Sequence, residues 1–156
     1  ARRRFRVGFV PMGFECAETM AGTLELDGAP GTHPFRFEIT AFAESTRQHL
    51  ADGKAEVSGV IYAPPIVEGA PVSGVITIRP IGQRIIRYEL AFVGDDGRGY
   101  ELTGQKDIKW TSPLRTFTEL PAEIRDDSGR LVAKCKARFD LKNHGWSFLR
   151  SFRPVR

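Results

Sequence analysis

The segment 131–141 is patterned for a strand. Leu131, Ala133, Cys135, Ala137, Phe139 and Leu141 fall on one parity, and Lys134, Lys136, Arg138 and Asp140 on the other. A period of two places successive side chains on opposite faces of a pleated strand, whereas a helix would scatter the four charges around its circumference. The segment therefore reads as a β-strand with one buried face.

The same rhythm recurs along the chain. Phe35, Phe37 and Ile39 point inward against Arg36, Glu38 and Thr40; Val57, Gly59 and Ile61 share a face, as do Val72, Gly74, Ile76 and Ile78. Ile86, Tyr88, Leu90 and Phe92 alternate with Arg87, Glu89 and Ala91, and Tyr100, Leu102 and Gly104 with Glu101, Thr103 and Gln105. Segments 14–26 and 116–124 read as strands with less regular patterning. Between the runs lie turn residues. Asp95-Asp96-Gly97-Arg98-Gly99 and Asp126-Asp127-Ser128-Gly129 each join two strands as a hairpin, because Asp tolerates turn conformations and Gly supplies positive φ. Pro64-Pro65 and Pro71 bracket a loop over 63–70. Two stretches read as short helices: 44–51, stopped at Asp52-Gly53, and 144–152, with Trp146, Leu149 and Phe152 near one face.

About eight strands joined by hairpins leave two exposed sheet edges, which closure removes. The expected fold is all-β: an antiparallel up-and-down, lipocalin- or calycin-like β-barrel. It would span 1–156 as one domain, with basic, flexible ends at 1–12 and 143–156. A barrel of this strand count is wide enough for one small ligand. Its inward faces mix Gly59, Gly74, Gly104, Ala133, Cys135 and Ala137 with Phe37, Tyr88, Phe92 and Tyr100. The small residues either open a cavity, or accommodate bulky neighbours in a filled core and mark sharp bends.

The net charge of +4 conceals an asymmetry. Arg2, Arg3, Arg4 and Arg6 at one end, and Lys142, Arg150, Arg153 and Arg156 at the other, flank a body with more acidic than basic groups. A nucleic-acid-binding face needs a basic stripe on the folded surface, so no nucleic-acid partner is expected. Basic ends suit contact with an anionic membrane surface or an acidic patch on a partner; otherwise they are solvated tails. No stretch approaches the ~20 apolar residues of a membrane-spanning helix, and Ala1-Arg2-Arg3-Arg4 is not the hydrophobic block of a signal peptide. The expected location is cytoplasmic, with peripheral membrane contact through the basic ends. The chain does not begin with Met, so a removed leader or a larger parent protein is compatible with it.

Residues that carry chemistry are sparse. His33, His49, His144, Cys16 and Cys135 show no zinc-ligand spacing, and the two Asp pairs lack the alternating acids of a calcium loop. Neither a GxSxG elbow nor a GxGxxG or Walker sequence occurs, so no metal or cofactor is expected. Cys16 and Cys135 read as reduced thiols, able to meet only if the first and last strands close the barrel. Glu18 and Glu119 are the carboxylates able to face inward. A buried Glu can act as an acid or base, but a register shift of one residue turns it to water.

Glu18-Thr19-Met20-Ala21-Gly22 resembles the F-x-E-x-M-x-G opening of a β-rich accessory domain. That domain is associated with bacterial cholesterol-oxidase-like (GMC-type) flavin oxidoreductases and α/β-hydrolase-like proteins. Arg87-Tyr88-Glu89-Leu90-Ala91-Phe92 with Asp95-Asp96-Gly97 is similar to that domain's hairpin, and Tyr100-Glu101-Leu102-Thr103-Gly104-Gln105-Lys106 to its Y-x-L-x-G-x-K. Trp110 and Thr116-Phe117-Thr118-Glu119-Leu120 resemble its W-x-x-T-T-x-L. The likeness covers about 13–142; Cys16 and Ala17 depart from it, as does the short segment 44–51. It implies an accessory domain of enzymes acting on steroids or other lipids, with a flavin oxidoreductase or hydrolase partner. The flavin chemistry would lie elsewhere, since nothing in this chain resembles the flavin-binding part.

The leading expectation is a non-catalytic barrel that binds an apolar small molecule, a lipid or steroid. Phe37, Ile39, Ile76, Tyr88, Phe92, Tyr100, Leu102 and Phe139 would form the walls, and Lys106 and Trp110 the mouth. A docking domain with a filled core that packs on an enzyme partner is the second reading. The third is a small isomerase or cyclase using an inward carboxylate; no constellation of base, nucleophile and oxyanion donors accompanies it.

Overall fold

A computed structural model describes residues 13–43, 53–79, 85–107, 119–139 and 153–155. Its strands are β1 (Gly13–Leu26), β2 (His33–Ala43), β3 (Lys54–Ala63), β4 (Val67–Arg79), β5 (Ile85–Val93), β6 (Gly99–Asp107), β7 (Glu119–Asp126), β8 (Leu131–Arg138) and β9 (Arg153–Val155). Each of β1 to β7 pairs antiparallel with the next, and β8 pairs back onto β1, from Ala21↔Arg138 to Leu26↔Ala133. The result is the expected closed, eight-stranded, up-and-down barrel. Both segments expected to be helical, 44–51 and 144–152, lie outside the described residues, as does Trp110. Of the C-terminal segment read as a tail, β9 pairs with Gly13–Glu15 of β1.

The two-residue rhythm sets which side chains line the interior. Phe35, Phe37 and Ile39, then Ile86, Tyr88, Leu90 and Phe92, then Ala133, Cys135, Ala137 and Phe139 are all buried. Their neighbours of opposite parity, Arg36, Glu38, Arg87, Lys134, Lys136 and Arg138, are exposed. The outer wall of a membrane-spanning barrel is an apolar band; this barrel carries charge there. Among the described residues no helix is long and apolar enough to cross a membrane.

Strand glycines decide between the two readings of the small inward residues. A Cβ on Gly59 would run into the carbonyl oxygen of Glu38, and one on Gly74 into that of Glu89. A Cβ on Gly104 would lie 2.9 Å from Leu120 Cδ1 and 3.0 Å from the Pro121 oxygen. These positions are glycine because a neighbouring strand passes too close for any side chain. They bring strands together rather than opening space.

The two ends of the barrel differ. One end carries the short turns, and these are hydrogen-bonded to one another. Asp95 donates its backbone N–H to Ile66 O (3.0 Å), and its carboxylate accepts from Glu68 N–H (3.1 Å). Arg98 reaches Asp127 (3.1 Å) and Asp126 (3.8 Å) in the next hairpin. Within that hairpin Asp126 Oδ1 accepts from Ser128 Oγ, Ser128 N and Arg130 N, and the Ser128 hydroxyl leads in holding its carboxyl below the usual range. The Tyr100 hydroxyl does the same for Asp96 (2.6 Å), and its own pKa is raised by that bond. Beneath these turns Leu24, Phe35, Ile61, Val67, Leu90, Leu102 and Ile124 are fully buried. The opposite end receives the connections through 44–52, 80–84, 108–118 and 140–152.

Candidate functional site

Three polar side chains meet inside the barrel, nearer the end with the longer connections. Glu18 enters from β1 because it shares parity with Met20 and Leu24, both completely buried. Tyr88 enters from β5, flanked in register by Ile76 and Gly104. Lys106 enters from β6, opposite Ile86. Lys106 Nζ lies 3.0 Å from Glu18 Oε1, and the Tyr88 hydroxyl lies 3.1 Å and 3.0 Å from Glu18 Oε1 and Oε2. The ammonium also sits 5.1 Å from the centroid of the Tyr88 ring, within range of the ring's negative face.

Charges so enclosed are stable only when paired and hydrogen-bonded. The Lys106 side chain is 2% exposed and that of Glu18 is 12% exposed, so the pair is largely withdrawn from water. No buried side-chain nitrogen or oxygen among the described residues lacks a hydrogen-bond partner. Tyr88 marks the boundary between this polar cluster and the apolar core. Its ring packs edge-on against Phe37 (6.2 Å, 61°), which in turn packs edge-on against Phe35 (5.8 Å, 63°). The adjoining wall, from β2 to β4, is aliphatic and short: Ile39, Ala41, Ala55, Val57 and Ile76.

The expected wall residues divide between the two ends. Phe37, Ile39, Ile76, Tyr88, Phe92, Leu102, Lys106 and Phe139 are buried and face inward. Phe92 stacks on Tyr100 (5.6 Å, 18°), whose hydroxyl points to Asp96 in the short-turn end, away from Lys106. Lys106, expected at the rim, instead extends into the interior. Glu119 is exposed, because Leu120, Ala122 and Ile124 take the inward parity of β7. Glu18, which the sequence left free to face either inward or to water and which was not among the expected wall residues, is the centre of the cluster. Its signal was its parity with Met20 and Leu24.

Of the other sequence candidates, His49, His144 and the Cys16 side chain lie outside the described residues. Among the described residues no group of His, Cys, Asp or Glu could hold a metal. Cys135 is a free, buried thiol whose register partner on β1 is Leu24, whereas Cys16 pairs with Ala41 of β2. Burial pushes the Cys135 thiol up to about 12, which keeps it protonated and unreactive. A shallow depression of about 600 Å³ on the outer wall is lined by residues such as Arg87, Gln105, Glu123, Lys134 and Lys136, a mixed-sign, water-facing surface.

Compared with protein-family models, curated proteins and solved structures, the chain matches none. Its class is defined by its own architecture: a closed eight-stranded antiparallel barrel with a hydrogen-bonded ion pair inside.

Proposed function

We propose that this barrel is a non-catalytic binding module for an apolar small molecule, a lipid or steroid. The molecule would enter from the end with the longer connections and dock its polar end at Glu18, Tyr88 and Lys106. The observation that carries this reading is the position of Glu18: a partly reachable carboxylate that, with Lys106 and the Tyr88 hydroxyl, sits against an aliphatic and aromatic lining. Apolar walls with a few convergent polar groups are what small-molecule sites present. The hydrogen-bonded turns and filled core at the other end support entry from one side. Residue-level likeness to the accessory domain of cholesterol-oxidase-like enzymes supports a place beside a lipid- or steroid-modifying oxidoreductase. A native mass spectrum of freshly purified protein tests the reading. A co-purifying lipid mass supports it; a clean apo mass with no uptake of fluorescent fatty acids or sterols overturns it.

The inward orientation of Glu18 also favours a second reading, an isomerase or cyclase in which this carboxylate moves a proton. Glu18→Gln protein that keeps full turnover on a discovered substrate removes that reading.

A further inference from the structure

The dipeptide Asp-Gly stands in two of the described turns, and its surroundings differ between them. Asp27-Gly28 lies between β1 and β2, and Asp96-Gly97 between β5 and β6. The Asp of a third pair, Asp52-Gly53, lies outside the described residues. A glycine carries no Cβ to shield its backbone nitrogen, so that nitrogen can approach the carboxyl carbon of the preceding aspartate. In Asp27-Gly28 nothing restrains either reacting group. Both residues are exposed, and among the described residues neither the Asp27 carboxylate nor the Gly28 N–H makes a hydrogen bond. The bond that closes this turn, from Ala29 N–H to Leu26 O, is long at 3.4 Å.

In Asp96-Gly97 both groups are engaged. The Asp96 carboxylate accepts from Arg98 N–H (3.0 Å) and from the Tyr100 hydroxyl (2.6 Å). The Gly97 N–H donates to Gly94 O at 3.0 Å. Ring closure expels a carboxyl oxygen as water, which a protonated carboxyl does more readily than a carboxylate. The bond from Tyr100 leads in favouring the ionised form of Asp96.

We infer that Asp27 is a site of spontaneous backbone modification, where aspartate converts to isoaspartate, and that the hydrogen bonds around Asp96-Gly97 protect it from the same reaction. The Gly28 nitrogen bonds to Asp27 Cγ. Its proton and the carboxyl hydroxyl leave as water, giving a five-membered cyclic imide. Water then opens the ring: addition at the side-chain carbonyl restores aspartate, and addition at the main-chain carbonyl leaves the backbone running through Cγ, one methylene longer. The change falls on the seam that closes the barrel. Asp27 N–H donates to Val132 O (2.8 Å), one step beyond the last β1–β8 pair, Leu26↔Ala133.

Ageing of the full chain at neutral pH, followed by tryptic mapping with electron-transfer fragmentation, tests this. Isoaspartate should accumulate at Asp27 in the peptide 7–36, preceded by a form one water lighter. Asp96 should convert at least about tenfold more slowly, the effect of one hydrogen bond to a charged acceptor. In urea, where neither turn persists, the two rates should come together. Tyr100→Phe should speed conversion at Asp96 and leave that at Asp27 unchanged. Asp27→Glu, whose side chain is one methylene too long for the five-membered ring, should abolish conversion at that turn. Isoaspartate absent from Asp27 in the folded chain, conversion at Asp96 as fast as at Asp27, or a difference that survives urea each overturns the inference. An unchanged Asp96 rate in Tyr100→Phe overturns the assigned protection.

Discussion

Tyr88 on β5 donates its hydroxyl proton to Glu18 on β1 at 3.0–3.1 Å, joining strands on opposite walls of the barrel. Neighbouring strands are held by backbone ladders, but β1 and β5 share none, so this bond is a strap across the interior. Tyr88→Phe removes it while preserving the ring's contacts with Phe37 and Lys106. A hydrogen bond to a charged group contributes ~1.5–3 kcal/mol, so the variant should lose about 2 kcal/mol. In urea unfolding the midpoint should fall with the slope unchanged. A loss below about 0.5 kcal/mol would show that the strap contributes nothing to stability.

The ion pair behaves differently depending on whether one partner or both are removed. Lys106→Met leaves the Glu18 carboxylate enclosed without its cation and should cost ~3–5 kcal/mol. Glu18→Gln leaves the ammonium in the same position and should cost a similar amount. The double variant replaces a buried pair with neutral groups of like volume and should lie within about 1 kcal/mol of wild type. A double-mutant cycle by urea unfolding measures the coupling directly. If the two single losses simply add, Glu18 and Lys106 are not the energetic unit their 3.0 Å separation implies.

Parity made much of this legible in the sequence. The inward sets at 35–39, 86–92 and 133–139 follow from alternation alone, because a register slip would expose every apolar side chain on the strand. Glu18 shares parity with Met20 and Leu24, so its direction was readable; that it meets Tyr88 was not. Which residues face each other across a barrel depends on closure and stagger, which are properties of all eight strands together. Lys106 illustrates a second limit. A lysine near a strand end normally extends its ammonium to water, whereas here Glu18 and the Tyr88 ring draw it into the barrel. Gly59 and Gly74 were visible as small and inward, but whether that meant open space or close backbone approach depended on the neighbouring strand's path. Glu119 differs from Glu18 by one step in parity relative to its apolar neighbours, within the register uncertainty of a short strand.

The close approach at Gly59 has its own consequence. A methyl group there collides with the Glu38 carbonyl oxygen, which is backbone and cannot swing aside. Gly59→Ala should therefore cost about 3 kcal/mol or prevent folding, the upper range for overpacking a rigid site. Gly99 provides the control: a methyl group added there would meet nothing within 4 Å, and its φ is not positive. Gly99→Ala should stay within about 0.5 kcal/mol of wild type. Thermal melts of the two variants compare them directly, and a Gly59→Ala protein melting with wild type would mean that β2 and β3 can separate locally without loss.

Cys135 makes the barrel sensitive to alkali. Burial raises its thiol from 9.0 to about 12 in the folded state, so the folded chain keeps a proton that the unfolded chain releases near 9. The folded form then binds more protons than the unfolded form between these values, and stability must fall as pH rises through that window. The contribution is fully present below pH ~9 and its loss approaches about 4 kcal/mol near pH 12, at 1.36 kcal/mol per unit. Cys135→Ala should be less stable at pH 8, because buried atoms are removed, yet lose less stability than wild type between pH 9 and 11. Urea unfolding of both proteins at pH 8, 9, 10 and 11 isolates the thiol, since every other titrating group is common to the pair. Parallel stability curves across that range would mean that Cys135 ionises in the folded barrel as readily as in the unfolded chain. Iodoacetamide labelling gives an independent reading: Cys135 should be protected in native protein at pH 9 and alkylated once urea unfolds it.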